Sequence, residues 1–137
     1  MNNIDEIRSE VEKLAEQINA PKELLPSYDG SSINHPSYIE NQGAIHNYLV
    51  TDNGREVKRK IAFSLDELLY IIFVDITFEM AVSYGKGHHS KGSDFRRILF
   101  NYQLGLMERL DMQWKVRREQ EIAEILKDSP YEDLSSK

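Results

Sequence analysis

Residues 52–85, DNGREVKRKIAFSLDELLYIIFVDITFEMAVSYG, decide the fold class, because two kinds of hydrophobic periodicity meet inside them. Asn53-Gly54 is the strongest two-residue hairpin signal, since both residues accept the positive φ of a tight primed turn. With that turn, Val50 is expected to face Val57, Tyr48 to face Arg59, and His46 to face Ile61 on one side of the sheet. Thr51, Leu49, Asn47, Glu56, Lys58 and Lys60 then fall on the other, wetter side. Ser64-Leu65-Asp66-Glu67 reads as a capping box and opens a helix that Gly85 is expected to close. At helical spacing Leu65, Leu69, Ile72, Phe73, Ile76 and Met80 share one arc, while Tyr70, Ile71, Val74, Phe78, Ala81 and Val82 fill much of the other. A helix apolar nearly all round is expected to be central and buried on more than one face.

Upstream, Asn41-Gln42-Gly43 marks a second turn, which gives a three-stranded antiparallel meander over residues 37–62. Residues 1–19 place Ile4, Ile7, Val11, Leu14 and Ile18 on one helical stripe that Pro21 is expected to end. The stretch from Ala20 to Pro36 is rich in turn formers and reads as a loop with an extended piece near Ile33. Downstream, Gly85 to Ser93 reads as a flexible connector. Phe95, Ile98, Leu99, Tyr102, Leu106 and Leu110 then mark one helix, and Asp111 caps another carrying Trp114, Ile122, Ile125 and Leu126. Pro130 stops that helical pair (94–128), leaving residues 129–137 as a short polar tail. The expected architecture is α+β: one domain over 1–137, with a small three-stranded antiparallel meander packed against about four helices, residues 64–84 at its centre.

Composition narrows the function classes. A chain of 137 residues with 40% hydrophobic content can bury a core unaided. It contains no cysteine, which excludes disulfides, thiolate chemistry and Cys-based metal centres. Charges recur every few residues through Met1–Gln17, where a secretion signal needs a continuous apolar stretch, and no run of about 18 uninterrupted apolar residues follows. A cytoplasmic protein outside the membrane is expected. The net charge of −6 argues against nucleic acid as a ligand and makes a basic protein the more natural electrostatic match.

No catalytic, cofactor or metal site is expected. The glycines at residues 85–92 include no Gly-Lys-Ser or Gly-Lys-Thr, which sets nucleotide hydrolysis aside. His88 and His89 are adjacent rather than one helical turn apart, so they read as solvated residues, and His46 reads as a hydrogen-bonded strand histidine. Asp75 and Glu79 stand one turn apart in a helix with no Lys or Arg between Phe63 and Tyr84. Charge compensation by Arg96, Arg97, Arg117 or Arg118 is the first expectation for them, an acidic recognition surface the second. An acid/base dyad has nothing else in the sequence to support it. Tyr70, Tyr84 and Tyr102 are assigned to packing, whereas Tyr28 and Tyr38, in or beside the polar loop, are expected partner contacts.

The segments GREVKRKIAFSLDELLYIIFVDITFEMAVSYG and DFRRILFNYQLGLMERLDMQWKVRREQEIAEIL, taken with the first helix and the short strands, resemble the immunity protein 63 family of bacterial polymorphic toxin systems. The resemblance spans most of residues 1–128 and rests on the order of elements and on stretches such as Leu65–Tyr70 and Asp94–Arg97. It implies a non-enzymatic partner protein, typically encoded beside a toxin whose C-terminal domain it inhibits, with no catalytic residues to carry over. A small cytosolic regulatory or adaptor protein is the alternative.

Overall fold

A computed structural model describes residues 3–28, 37–42, 45–53 and 55–134, so the extended piece expected near Ile33 lies outside the described residues. The fold is α+β, with four α-helices and a three-stranded antiparallel sheet among the described residues. The chain divides into two compact units, Met1–Phe73 and Val74–Lys137.

The first unit begins with α1 (Ile4–Gln17). Asn3 caps it reciprocally: its Oδ1 accepts from the Glu6 amide at 2.9 Å while Glu6 Oε1 accepts from the Asn3 amide at 3.3 Å. Ile7, Val11, Ala15 and Ile18 are buried, close to the expected stripe. Pro21 is not what ends the helix. Asn19 takes a left-handed φ of 55°, and the amides of Asn19 and Ala20 turn back to the carbonyls of Glu16 and Ala15. That is a Schellman stop, which satisfies the last carbonyls before the proline is reached.

Strands β1 (Ser37–Gln42), β2 (Ile45–Asp52) and β3 (Arg55–Ala62) form the expected meander. Asp52 pairs with Arg55, as the expected two-residue turn requires, and Asn53 has the positive φ of 53° that such a turn needs. Beyond the turn, however, the register corrects the expectation. Thr51 pairs with Glu56, but Val50 pairs with Lys58, Tyr48 with Lys60 and His46 with Ala62, because a bulge inserts Val57. One extra residue exchanges the two faces of everything that follows. Ile39, His46, Tyr48 and Ala62 therefore share one face with Lys58 and Lys60, and Arg59 and Ile61 move to the other, the outer one. The outer face is not uniformly wet either, since Leu49 and Asn47 are buried on it. His46 Nδ1 donates to Asn41 Oδ1 at 2.8 Å, as expected of a strand histidine. Burial holds its pKa below the ordinary imidazole value. As pH falls below about 6.5 the unfolded chain takes up that proton first, and stability declines.

Helix α2 (Leu65–His88) supplies residues to both units. Ser64 Oγ accepts from the Glu67 amide at 3.1 Å, the first half of the expected capping box. Leu68 to Phe73 are six consecutive buried residues; such a run faces every direction around a helix, so the apolar-all-round reading holds. By length and composition α2 could cross a membrane, but 56% of its most apolar window is buried within the protein, as befits a core helix. Gly85 does not close it. A Cβ at Gly85 would lie 2.7 Å from the Phe95 ring, so the glycine permits a close approach and the helix continues to His88.

In the second unit α3 (Phe95–Leu110) packs on α4 (Met112–Asp128), with Ala81, Leu99, Phe100 and Ile122 fully enclosed. Asp111 Oδ1 caps α4 through the amides of Gln113 and Trp114. Tyr84 stacks between Tyr102, at 3.9 Å, and His88, at 4.0 Å. His88 is thus a helical residue held against a ring, not part of a loop. The polar tail is docked as well. Arg96 donates to the carbonyls of Ser129 and Pro130, Arg97 pairs with Asp133 and lies 4.0 Å over the Tyr131 ring, and the Leu134 amide donates to Gly92.

Asp94 joins these pieces. Its carboxylate caps α3 through the Arg96 amide, pairs with the Arg96 guanidinium at 2.9 Å and accepts from the Glu132 amide at 2.8 Å. The Arg96 hydrogen bond, followed by those two amides, holds the Asp94 carboxyl well below the usual carboxylate range. This stabilisation is fully present above the ordinary value near 4 and disappears as pH falls through the lower folded value. Asp94→Ala is expected to lower Tm by a few degrees and to accelerate exchange of the Glu132 amide; unchanged exchange would show that the tail is held without it.

Candidate partner-binding surface

Groups able to do chemistry are scattered. Among the described residues no three His, Asp or Glu side chains gather to hold a metal ion. His46 is buried against Asn41, His88 stacks on Tyr84, and exposed His89 donates to the Ser93 carbonyl. Of the four arginines weighed as compensation for Asp75 and Glu79, Arg96 binds Asp94, Arg97 binds Asp133, Arg117 binds Glu121, and Arg118 binds Gln103 and Glu121. Asp75 is half-buried. Glu79 is exposed and pairs with none of the four, which corrects the expected compensation there. The acceptors they reach are the cap residue Asp94, Gln103 in α3, Glu121 in α4 and the docked tail.

Tyr28 lies beside a recess of about 760 Å³ whose wall includes Glu12, Glu16, Asn19 and Lys22. Its ring is half-buried beneath the Arg8 guanidinium at 4.9 Å, and its hydroxyl is buried with no hydrogen-bond partner among the described residues. Burial, reinforced by the Glu12 charge, pushes the phenol up to about 12, so it stays protonated at any physiological pH. The recess is an acidic pocket with a neutral hydroxyl at its side. It suits a cationic side chain better than an anion.

Tyr38 has a different setting. It is half-buried in β1 and opposite Leu49, which in turn is opposite Arg59, so the three form one cross-strand row on the outer sheet face. Glu40, Asn47 and Ile61 form the next row. Arg59 spans this face: it grips Glu56 through two hydrogen bonds, of 2.9 and 3.1 Å, and stands 3.8 Å from Glu40. Around it the bulge leaves Val57 61% and Ile61 51% exposed, and Phe63, just past the strand, is 76% exposed. Three large apolar side chains within seven residues, each more than half exposed, make a patch of the kind that marks partner contact. Four cations, Arg55, Lys58, Arg59 and Lys60, share this strand with one carboxylate, Glu56. Sequence reading missed the patch because it assigned Val57 and Ile61 to the packed face.

A family model described as immunity protein 63 matches residues 42–124, more than half of the chain. The chain belongs to the immunity protein 63 family. No curated protein and no solved structure matches it. The span matched by the immunity protein 63 model takes in all of β2, β3, α2 and α3 and most of α4. The exposed residues Val57, Arg59, Ile61 and Phe63 therefore lie inside the family region, as do Asp75 and Glu79. Tyr28 and Tyr38 precede it.

Proposed function

We propose that this protein is a cytoplasmic, non-catalytic immunity protein that binds one cognate toxin, through that toxin's C-terminal domain, and neutralises it by stoichiometric contact. Membership of the immunity protein 63 family carries this reading. The exposed side chains of Val57, Ile61 and Phe63 support it, since apolar side chains flanked by ordered charges are what a tight protein contact uses. The contact proposed is centred on Tyr38, Val57, Ile61 and Phe63. Tyr28 and the acidic recess beside it would receive basic side chains of the toxin. Asp75 and Glu79 offer a further acidic contact on the second unit. The first unit thus presents both signs of charge, and a matching toxin surface has both.

The test is to mix the protein with the purified C-terminal domain of the toxin encoded beside its gene and measure mass by light scattering. A one-to-one complex is expected; two separate species overturn the proposal. Within that complex Ile61→Asp is expected to raise Kd by about thirtyfold or more, because a central apolar anchor contributes roughly 2 kcal/mol. An unchanged Kd would move the contact away from the outer sheet face.

A further inference from the structure

We propose that the free edge of β3 receives an extended segment of the toxin as a fourth strand, and that this segment alternates acidic and apolar residues. The inference rests on the toxin-binding reading above and adds to it the docking element and its sequence character.

The two edges of the sheet differ. The outer edge of β1 is met by Ser27, whose amide donates to the Ser37 carbonyl at 2.9 Å and whose carbonyl accepts from the Ile39 amide at 2.9 Å. At the other edge of the order β1-β2-β3, nothing among the described residues pairs with β3. An unpaired strand is a ready template for another chain. The bulge is confined to the turn end, and from Lys58 to Ala62 the pairing with β2 is regular, enough for a short augmenting strand.

The side chains specify the occupant. On one face of β3 stand Lys58 and Lys60, on the other Arg59 and Ile61, with Val57 at the bulge. Cross-strand neighbours on the same face interact most strongly, so a fourth strand gains from carboxylates opposite the lysines and from apolar residues opposite Ile61. Edge lysines also guard sheets against unwanted pairing, and that is their common role. Protection alone leaves the exposure of Val57, Ile61 and Phe63 unexplained, since such side chains invite the contact that a guarded edge avoids. The cations disfavour a second copy of β3, which would bring like charges together, and with the apolar groups they admit an acidic segment. Nucleic acid fits less well, because the protein as a whole carries a net charge of −6.

The experiment uses the full chain and the purified C-terminal domain of the adjacent toxin. Amide hydrogen exchange over residues 58–62 is expected to slow at least tenfold on complex formation, because edge amides become hydrogen-bonded. The exposed pair Arg55→Glu with Lys60→Glu is expected to weaken the complex about tenfold or more while leaving Tm of the free protein unchanged, and Lys60→Arg should retain binding. A complex that forms with unchanged exchange at residues 58–62 and unaffected affinity overturns the edge proposal and leaves toxin binding intact. No complex at all overturns both. Binding of a labelled single-stranded oligonucleotide, or a dimer of the protein alone, that the double variant abolishes would assign the edge to nucleic acid or to self-association and overturn the proposal.

Discussion

Phe73→Ala is expected to destabilise the protein by about 3–5 kcal/mol, in the range typical of emptying a fully enclosed phenylalanine site. Phe73 has no solvent exposure and closes a run of six buried residues in α2. Truncation removes the transfer free energy of the ring and leaves a cavity that rigid neighbours refill only in part. Against a total stability of about 5–15 kcal/mol for a domain, that loss is about a fifth or more of the whole. Denaturant melts measure it directly. A change under about 1 kcal/mol would mean that the site collapses freely or is open to water, and the central place given to α2 would fall.

Gln103→Ala is expected to cost about 2–4 kcal/mol for a different reason, the loss of a buried polar junction. Gln103 is fully buried. Its amide nitrogen donates to the Val74 carbonyl at 3.0 Å and to Thr77 Oγ1 at 3.1 Å, while its oxygen accepts from Arg118 Nε at 3.2 Å. One side chain thereby links α2, α3 and α4 within the second unit, and Thr77 extends the junction to the Val74 carbonyl and Met107 Sδ. Removing it withdraws a hydrogen-bond partner from each group it touches, where water has little access. Gln103→Met separates volume from polarity. It refills most of the space, so a residual loss of about 1–3 kcal/mol would measure the hydrogen bonds alone. If the methionine variant is as stable as the parent, the junction contributes packing and nothing more.

Most of the element order is legible in the sequence because it depends on local chemistry. Asn53-Gly54 encodes a turn, Asp111 a cap, and the apolar density from Leu65 to Val82 a core helix. What escaped is what depends on neighbours. Nothing in Arg55–Ala62 announces a bulge at Val57, since an extra residue in a strand is chosen by the pairing across it, and that one residue carried Arg59 and Ile61 to the outer face. Gly85 has the look of a helix stop, yet it serves as a gap for Phe95, far along the chain from its own helix start. The tail from Ser129 to Leu134 has a polar composition, and only the placement of Arg96 and Arg97 shows why it is held. Of the expected contact residues, Tyr38 stands on the outer sheet face, whereas Tyr28 keeps its hydroxyl inside the wall of a recess. Glu79 is exposed rather than compensated by an arginine.

Neutralisation by contact is read out by titrating toxin activity against added protein. Activity of the purified toxin domain is expected to fall linearly and vanish at one equivalent, with unmodified, active toxin recovered after dissociation in denaturant and refolding. Neutralisation at a small fraction of an equivalent, accompanied by a covalent change in the toxin, would rule out stoichiometric contact and make this protein an enzyme.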